Sequence, residues 1–381
     1  MSTMQRILQL MADKKASDVY LSALSPALIK INGQALPINS QVLPPDAPLS
    51  LLAEVLPPER IEELKELGEL NMALPMEGVG NFRISGFRQR GTYAAVIRFI
   101  PTDIPLLASL SLPPILADLI MEKRGLLLMV GATGAGKSTS LAAMIDHRNA
   151  NAPGHILTIE DPIEYLFTNK KSLINQREVG GDTQSLQVAL KNALRQAPDV
   201  ILIGEIRDRE TMSAAIAYAQ SGHLCLATMH ANNSYQALNR ILSFYPIEVR
   251  STMLGDLAAA LKAVVSQRLL RTMDGSRTPA VEVMLNTKLI AELVEKGDFS
   301  GVKEAMENSM ADGSQTFELD IAKMIADGRV TRKEGLLHAD SPTNLMWRLE
   351  NDFHSAKSAD KLLEDPDDTP SFTEITLDVK H

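Results

Sequence analysis

Gly131-Ala132-Thr133-Gly134-Ala135-Gly136-Lys137-Ser138-Thr139 fits the pattern G-x-x-x-x-G-K-[ST]. The apolar run Gly125-Leu126-Leu127-Leu128-Met129-Val130 precedes it and reads as a buried strand. Leu141, Met144, Ile145 and Arg148 follow at helical spacing. A strand, a glycine-rich loop and a helix in that order form the setting in which a backbone wraps phosphate groups. Glycine is required because the loop must present its N–H groups in conformations that a Cβ obstructs. Lys137 is then placed to reach the β- and γ-phosphates, and Ser138 to put its hydroxyl on Mg²⁺. The helix N-terminus adds its own attraction for an anion.

Working outward, 381 residues exceed one ordinary domain and can bury more than one core. No apolar run approaches a membrane span, and Met1-Ser2-Thr3-Met4-Gln5-Arg6 leads into an amphipathic helix, not a leader peptide. A soluble, intracellular chain is expected. Cys225 is the single cysteine, so one chain builds neither a disulfide nor a thiolate zinc site; Leu224 and Leu226 mark it as buried. A net charge of −9 and an aromatic content of 4% count against a nucleic-acid partner.

The fold class expected is α/β: a RecA-like core, a small α+β domain before it and a helical extension after it. In residues 1–100, Met4, Ile7, Leu8 and Met11 share a helix face. Strands are predicted at Asp18–Ser22 and Ala27–Ile31, the second ending at the hairpin signal Asn32-Gly33. A charged helix around Arg60–Glu66 and a strand pair at Asn81–Arg90 and Thr92–Ile100 complete this part. Residues 101–114 hold four prolines and read as a linker. Over 115–289 strands and helices alternate, which predicts a mostly parallel sheet with helices on both faces. Residues 290–350 turn helical, with a capping box at Thr331-Arg332-Lys333-Glu334 and Pro at N1 in Ser341-Pro342. The acidic stretch 351–381 is expected to be disordered.

Three motifs after the loop carry carboxylates or histidines. Val200-Ile201-Leu202-Ile203-Gly204-Glu205 is an apolar strand ending in an acid, as in a Walker B element, with glycine where aspartate is common. Thr158-Ile159-Glu160-Asp161-Pro162-Ile163-Glu164 places three carboxylates after a strand, and either Glu160 or Glu164 has the chemistry to orient a water. His223 and His230 flank one strand on opposite faces, which suits separate hydrogen bonds better than a shared metal.

Together these motifs resemble the ATPases of the type II secretion and type IV pilus superfamily. The phrases Gly131-Ala132-Thr133, Ala189–Asp199 and Thr228-Met229-His230-Ala231-Asn232-Asn233 resemble its retraction branch, the PilT/PilU family, on the PilU side. The four-cysteine zinc element of extension ATPases cannot be built here. The helix that reads roughly A-I-R-N-L-I-R-E in PilT proteins is matched by Leu289–Lys296, which keeps the apolar positions and lacks both arginines. That departure favours an accessory to a PilT-type motor.

The resemblance implies a homohexameric ring in which a PAS-like N-terminal domain meets a neighbour's RecA-like domain, with 101–114 as hinge. ATP and Mg²⁺ are the implied cofactors, held by residues 131–139. Lys137, Glu164, Glu205 and His230 match the catalytic positions, Ser138 and Glu205 the metal side, partly through water, and His223 a structural companion. The implied partners are a PilT-type ATPase and an inner-membrane pilus platform protein, with the chain cytoplasmic and peripheral at the pilus base. A secretion or DNA-uptake ATPase, or a weakly active regulatory subunit, is the competing reading. Among candidates for action across a subunit boundary, the family pattern favours Arg83 and Arg98, then Arg90. Strand alternation instead groups Arg88 with Arg90, joined by Arg98 across the hairpin.

Overall fold

The computed structural model describes residues 1–31, 33–100, 103–308 and 311–351. Asn32 of the hairpin signal, the first two linker residues and the acidic stretch from 352 onward lie outside them.

Two sheets organise the chain. The first is antiparallel, with spatial order β3-β2-β1-β6-β5-β4. Its strands are β1 (Asp18–Ser22), β2 (Pro26–Ile31), β3 (Gln34–Val42), β4 (Glu69–Met76), β5 (Gly80–Gln89) and β6 (Thr92–Ile100). Helices α1 (Thr3–Asp13), α2 (Ala47–Ala53) and α3 (Pro58–Leu67) contribute to the core that covers one face. Met4, Leu8 and Met11 of α1 pack with Leu52, Leu64, Phe82 and Ile84, as the helical spacing predicts. Strands β3 and β4 were not foreseen: β3 is exposed almost throughout, so no apolar alternation marks it.

The second sheet has the order β13-β12-β7-β11-β10-β8-β9. Its members are β7 (Gly125–Val130), β8 (Gly154–Glu160), β9 (Ser172–Glu178), β10 (Val200–Ile203), β11 (Leu224–Met229), β12 (Leu261–Arg271) and β13 (Arg277–Leu285). All pairings are parallel except β12 with β13. Helices α4 (Ile115–Met121), α5 (Lys137–Asn151), α6 (Leu186–Ala193), α7 (Arg209–Gln220), α8 (Ser234–Ser243) and α9 (Ile247–Ala260) cover it. Alternation splits β7 between two cores: Leu126, Leu128 and Val130 face one layer, Leu127 and Met129 the other. Every residue of β7 is buried, which is why the run is uniformly apolar. The unforeseen β12–β13 hairpin and β9 complete the sheet.

Helices α10 (Lys288–Lys296), α11 (Phe299–Glu307), α12 (Phe317–Ala326), α13 (Arg332–His338) and α14 (Pro342–Asn351) follow. The last three pack Phe317, Ile321, Leu345 and Leu349 against Leu270 and Ala280 of β12 and β13. Thr331 caps α13 by accepting from the Glu334 amide at 3.2 Å, but the reciprocal half of the predicted box is absent. Glu334 instead accepts from the Arg271 amide at 2.9 Å, a donor that only the tertiary fold supplies. Among the described residues, no helix is long and apolar enough to cross a membrane.

Candidate active site

The central strands of the parallel sheet end together at their carboxyl edge, where a doubly wound sheet places its ligands. Val130 is level with Met229, and Ile203 with Ala227 and Ile159, so the residues that follow all emerge on one side. These are the loop 131–136 after β7, His230 after β11, Gly204-Glu205 after β10 and the 160–164 segment at the end of β8. They enclose a cavity of about 520 Å³ that is lined by Thr133, Gly134, Lys137, Ser138, Glu160, Glu164, Glu205 and His230, among others. That volume lies in the usual range for small-molecule sites, roughly 300–1,000 Å³.

Gly136 caps α5 at φ +85°, and a Cβ there would meet Nε2 of Gln267 at 2.7 Å. Gln267 was not anticipated. It lies buried on β12, donates to the Ala135 carbonyl at 2.8 Å and accepts from the Ser140 hydroxyl at 2.8 Å. It therefore ties the loop to the first turn of its own helix. The polar pair Ser266-Gln267 inside an apolar strand was the available signal, because a buried amide demands partners.

Lys137 is buried and donates to the carbonyls of Gly131 at 2.7 Å and Ala132 at 2.9 Å. Burial pushes its pKa down, while the charges of Glu205 and Glu164 hold it up. Thr139 shares a hydrogen bond of 2.8 Å with the Tyr165 hydroxyl, which joins the first turn of α5 to the acidic segment.

The two candidate glutamates differ in their surroundings. Glu160 accepts from the Thr158 hydroxyl at 2.6 Å and from Gln176 at 3.2 Å, and the Glu164 amide also bonds to it. Desolvation lifts its pKa to about 7 against those hydrogen bonds, with the Glu164 charge adding to the rise. Both line the cavity, but the carboxylate of Glu164 accepts no hydrogen bond among the described residues.

Glu205 is ion-paired with Arg207 at 2.7 Å and lies 3.3 Å from Nε2 of His230. Its hydrogen bond holds the Arg207 guanidinium above the usual pKa. Glycine precedes Glu205 for a steric reason: a Cβ at Gly204 would lie 3.1 Å from the Ile159 carbonyl and 3.2 Å from Cα of Glu160. Its amide also bonds the Ile159 carbonyl at 2.8 Å. Any side chain at this position would have to push the end of β8 aside by a few tenths of an ångström. His223, at the other end of β11, bonds Ser221 and the Tyr218 carbonyl, away from the cavity.

The arginines are placed by strand register. Arg83 stands directly opposite Arg98, and Arg98 opposite Asp18 on β1. Arg88 pairs with Tyr93 and stacks on its ring, on the opposite face of the sheet, while Arg90 sits in the turn at φ +46°. The grouping of Arg88, Arg90 and Arg98 on one face is therefore incorrect, because the turn at Arg90-Gly91 sets the pairing. Arg98 donates to Asp18 at 2.8 Å, and that bond raises its pKa against burial, with a further contribution from Glu164 of the same chain. Neither Arg83 nor Arg98 lines the cavity itself.

Known proteins share the family and the fold of this chain. The family of type II/IV secretion system proteins matches residues 68–351. The type IV pilus ATPase PilU of Pseudomonas aeruginosa is 45% identical over 376 residues, covering 96% of this chain and 98% of the relative. The type IV pilus retraction ATPase PilT of the same organism is 34% identical, over 89% of this chain and 98% of its own length. A crystal structure of the pilus retraction motor PilT with bound ADP superposes with a TM-score of 0.85 at 35% identity, covering 91% of this chain and 99% of that one. A doubly wound sheet with a phosphate loop at its centre, joined to an antiparallel sheet, is thus shared along nearly the whole length, and the chain belongs to the PilT/PilU family of type II/IV secretion ATPases.

Proposed function

We propose that the chain is an ATP-hydrolysing motor subunit for type IV pilus retraction and twitching motility, a PilU-type accessory to a PilT-type motor. The observation that carries the chemistry is the convergence of Lys137, Ser138, Glu164, Glu205 and His230 on one cavity from four strand ends. Lys137 and the loop amides bind the triphosphate. The unengaged carboxylate of Glu164 orients and polarises the attacking water. Glu160, enclosed by Thr158 and Gln176, holds the segment that presents it. His230, against Glu205, stands where it can register the terminal phosphate.

Ser138 and Glu205 suit Mg²⁺. Among the described residues no group of three or more His, Cys, Asp or Glu forms a cage. Mg²⁺ is usually held by one or two protein oxygens together with phosphates and water. Bound there, the ion neutralises charge on the phosphate oxygens. Arg98, steadied by Asp18 and within the field of Glu164 of its own chain, supplies a further cation to that side, with Arg83 beside it.

The assembly in this reading is a homohexameric ring with the segment 101–114 as hinge between a PAS-like domain and the ATPase core. It works in the cytoplasm against an inner-membrane platform protein, together with a PilT-type ATPase. Family membership and the missing arginines of α10 support the accessory assignment. The test is the ATPase rate of the purified chain alone and mixed with a PilT-type partner. Hydrolysis that Lys137→Ala removes, and that mixing raises above the sum of the separate rates, is expected. No hydrolysis in either arm overturns the motor reading.

A further inference from the structure

Arg268 on β12 ties the loop that carries His230 to the end of the chain. Its guanidinium lies 4.0 Å above the ring of buried Phe317 at the start of α12. It donates to the carbonyl of His338, to that of Asn232 at 3.1 Å, and to the carboxylate of Asp340. The other oxygen of Asp340 accepts from the Asn233 amide group at 2.6 Å. Asn233 in turn caps α8 by accepting from the Gln236 amide at 2.9 Å. Side-chain exposures of 18% for Arg268 and 21% for Asp340 leave the pair little screened by water. The segment 230–233 is thereby fastened to the 338–340 connection between α13 and α14, more than a hundred residues away in sequence.

The geometry points to Arg268 and Asp340 as positioning residues that set where His230 stands, so that the C-terminal helices bear on the phosphate end of the cavity. The planar fork suits this role, because one group grips two carbonyls and a carboxylate while stacked on a ring. A lysine would keep the charge and lose that geometry. None of these contacts reaches the cavity directly. The effect passes through the loop, and it rests on the reading of His230 as a phosphate-side residue.

The test compares steady-state ATP hydrolysis and thermal midpoints of the full-length chain and its Asp340→Ala, Arg268→Lys and His230→Gln variants. The double variants of His230→Gln with each of the other two complete the set. Asp340→Ala and Arg268→Lys are expected to lower kcat about tenfold while KM for ATP stays within about twofold. Each double variant should be no slower than His230→Gln alone. Wild-type kcat in both single variants beside an impaired His230→Gln overturns the clamp and leaves the reading of His230 standing. Losses that multiply in the doubles do the same. Wild-type kcat in His230→Gln overturns that reading and the clamp with it. If Asp340→Ala does not fold, Arg268→Lys and its double decide by the same criteria.

Discussion

Each strand at the centre of the second sheet is buried along nearly its whole length, as in Gly125–Val130 of β7 and Val200–Ile203 of β10. In the first sheet, β4 and β5 alternate, with Phe82 and Ile84 inward and Arg83 and Ser85 outward. A parallel sheet covered on both faces leaves chemistry only its carboxyl edge, and Lys137, Glu164, Glu205 and His230 gather there. The antiparallel sheet offers residues broadside on the face opposite its helices, so Asp18, Arg98 and Arg83 form a row across three strands. The edge builds a cavity open to solvent on one side. The face carries a row of charge that stays outside it.

If that division is right, damage at the edge should exceed damage on the face. Lys137→Ala should lower turnover by more than about 10³-fold and weaken nucleotide binding, since the lost donor faces the charge that develops on phosphate. Steady-state rates and a nucleotide-binding titration check this. Glu164→Gln should follow, with turnover down about 10²–10³-fold and binding retained, because the amide keeps the shape and cannot polarise water. A collapse of affinity instead would point to Glu160 as the working carboxylate.

Arg98→Ala should cost less, about 10²-fold in kcat, since its guanidinium is tethered to Asp18 outside the cavity. Equal losses at Arg98 and Lys137 would break the distinction between edge and face. Mixing Arg98→Ala with Lys137→Ala subunits sharpens it. No recovery is expected if Arg98 serves the cavity of its own chain. Partial recovery in mixed rings confirmed by mass would place it at a neighbour's site.

The smallest effect concerns Glu160. Its folded pKa is raised from the ordinary 4.5 to about 7. Folding therefore favours its protonated form, and its contribution is most favourable below 4.5 and fades as pH rises through about 7. Glu160→Gln should remove that dependence and relieve a penalty on the order of 1–3 kcal/mol at pH 8. Urea midpoints of both proteins between pH 5 and 8 measure it. An unchanged slope would show that Glu160 titrates elsewhere.

How much of this was legible depended on the range over which each feature is determined. The loop 131–139, its strand and its helix were readable because glycine dihedrals and apolar spacing act over a few residues. The carboxylates of 160–164 and Glu205 were readable as ends of apolar runs. Strand β3, exposed almost throughout, gave no alternation to read.

Sequence alone determined the parallel core, the phosphate loop and the residue types at the strand ends, since local backbone preference and burial pattern dictate them. Only the tertiary structure decided which of them meet. It set Arg83 opposite Arg98 and not beside Arg90, Gln267 beneath a loop 132 residues away, and Asp340 against Asn233 across 107 residues. The difference between Glu160 and Glu164, both on the cavity wall but only the first held by side-chain hydrogen bonds, also came from packing against Gln176 of β9. Such pairings depend on strand register and helix packing between distant segments, and no spacing within either segment encodes the other.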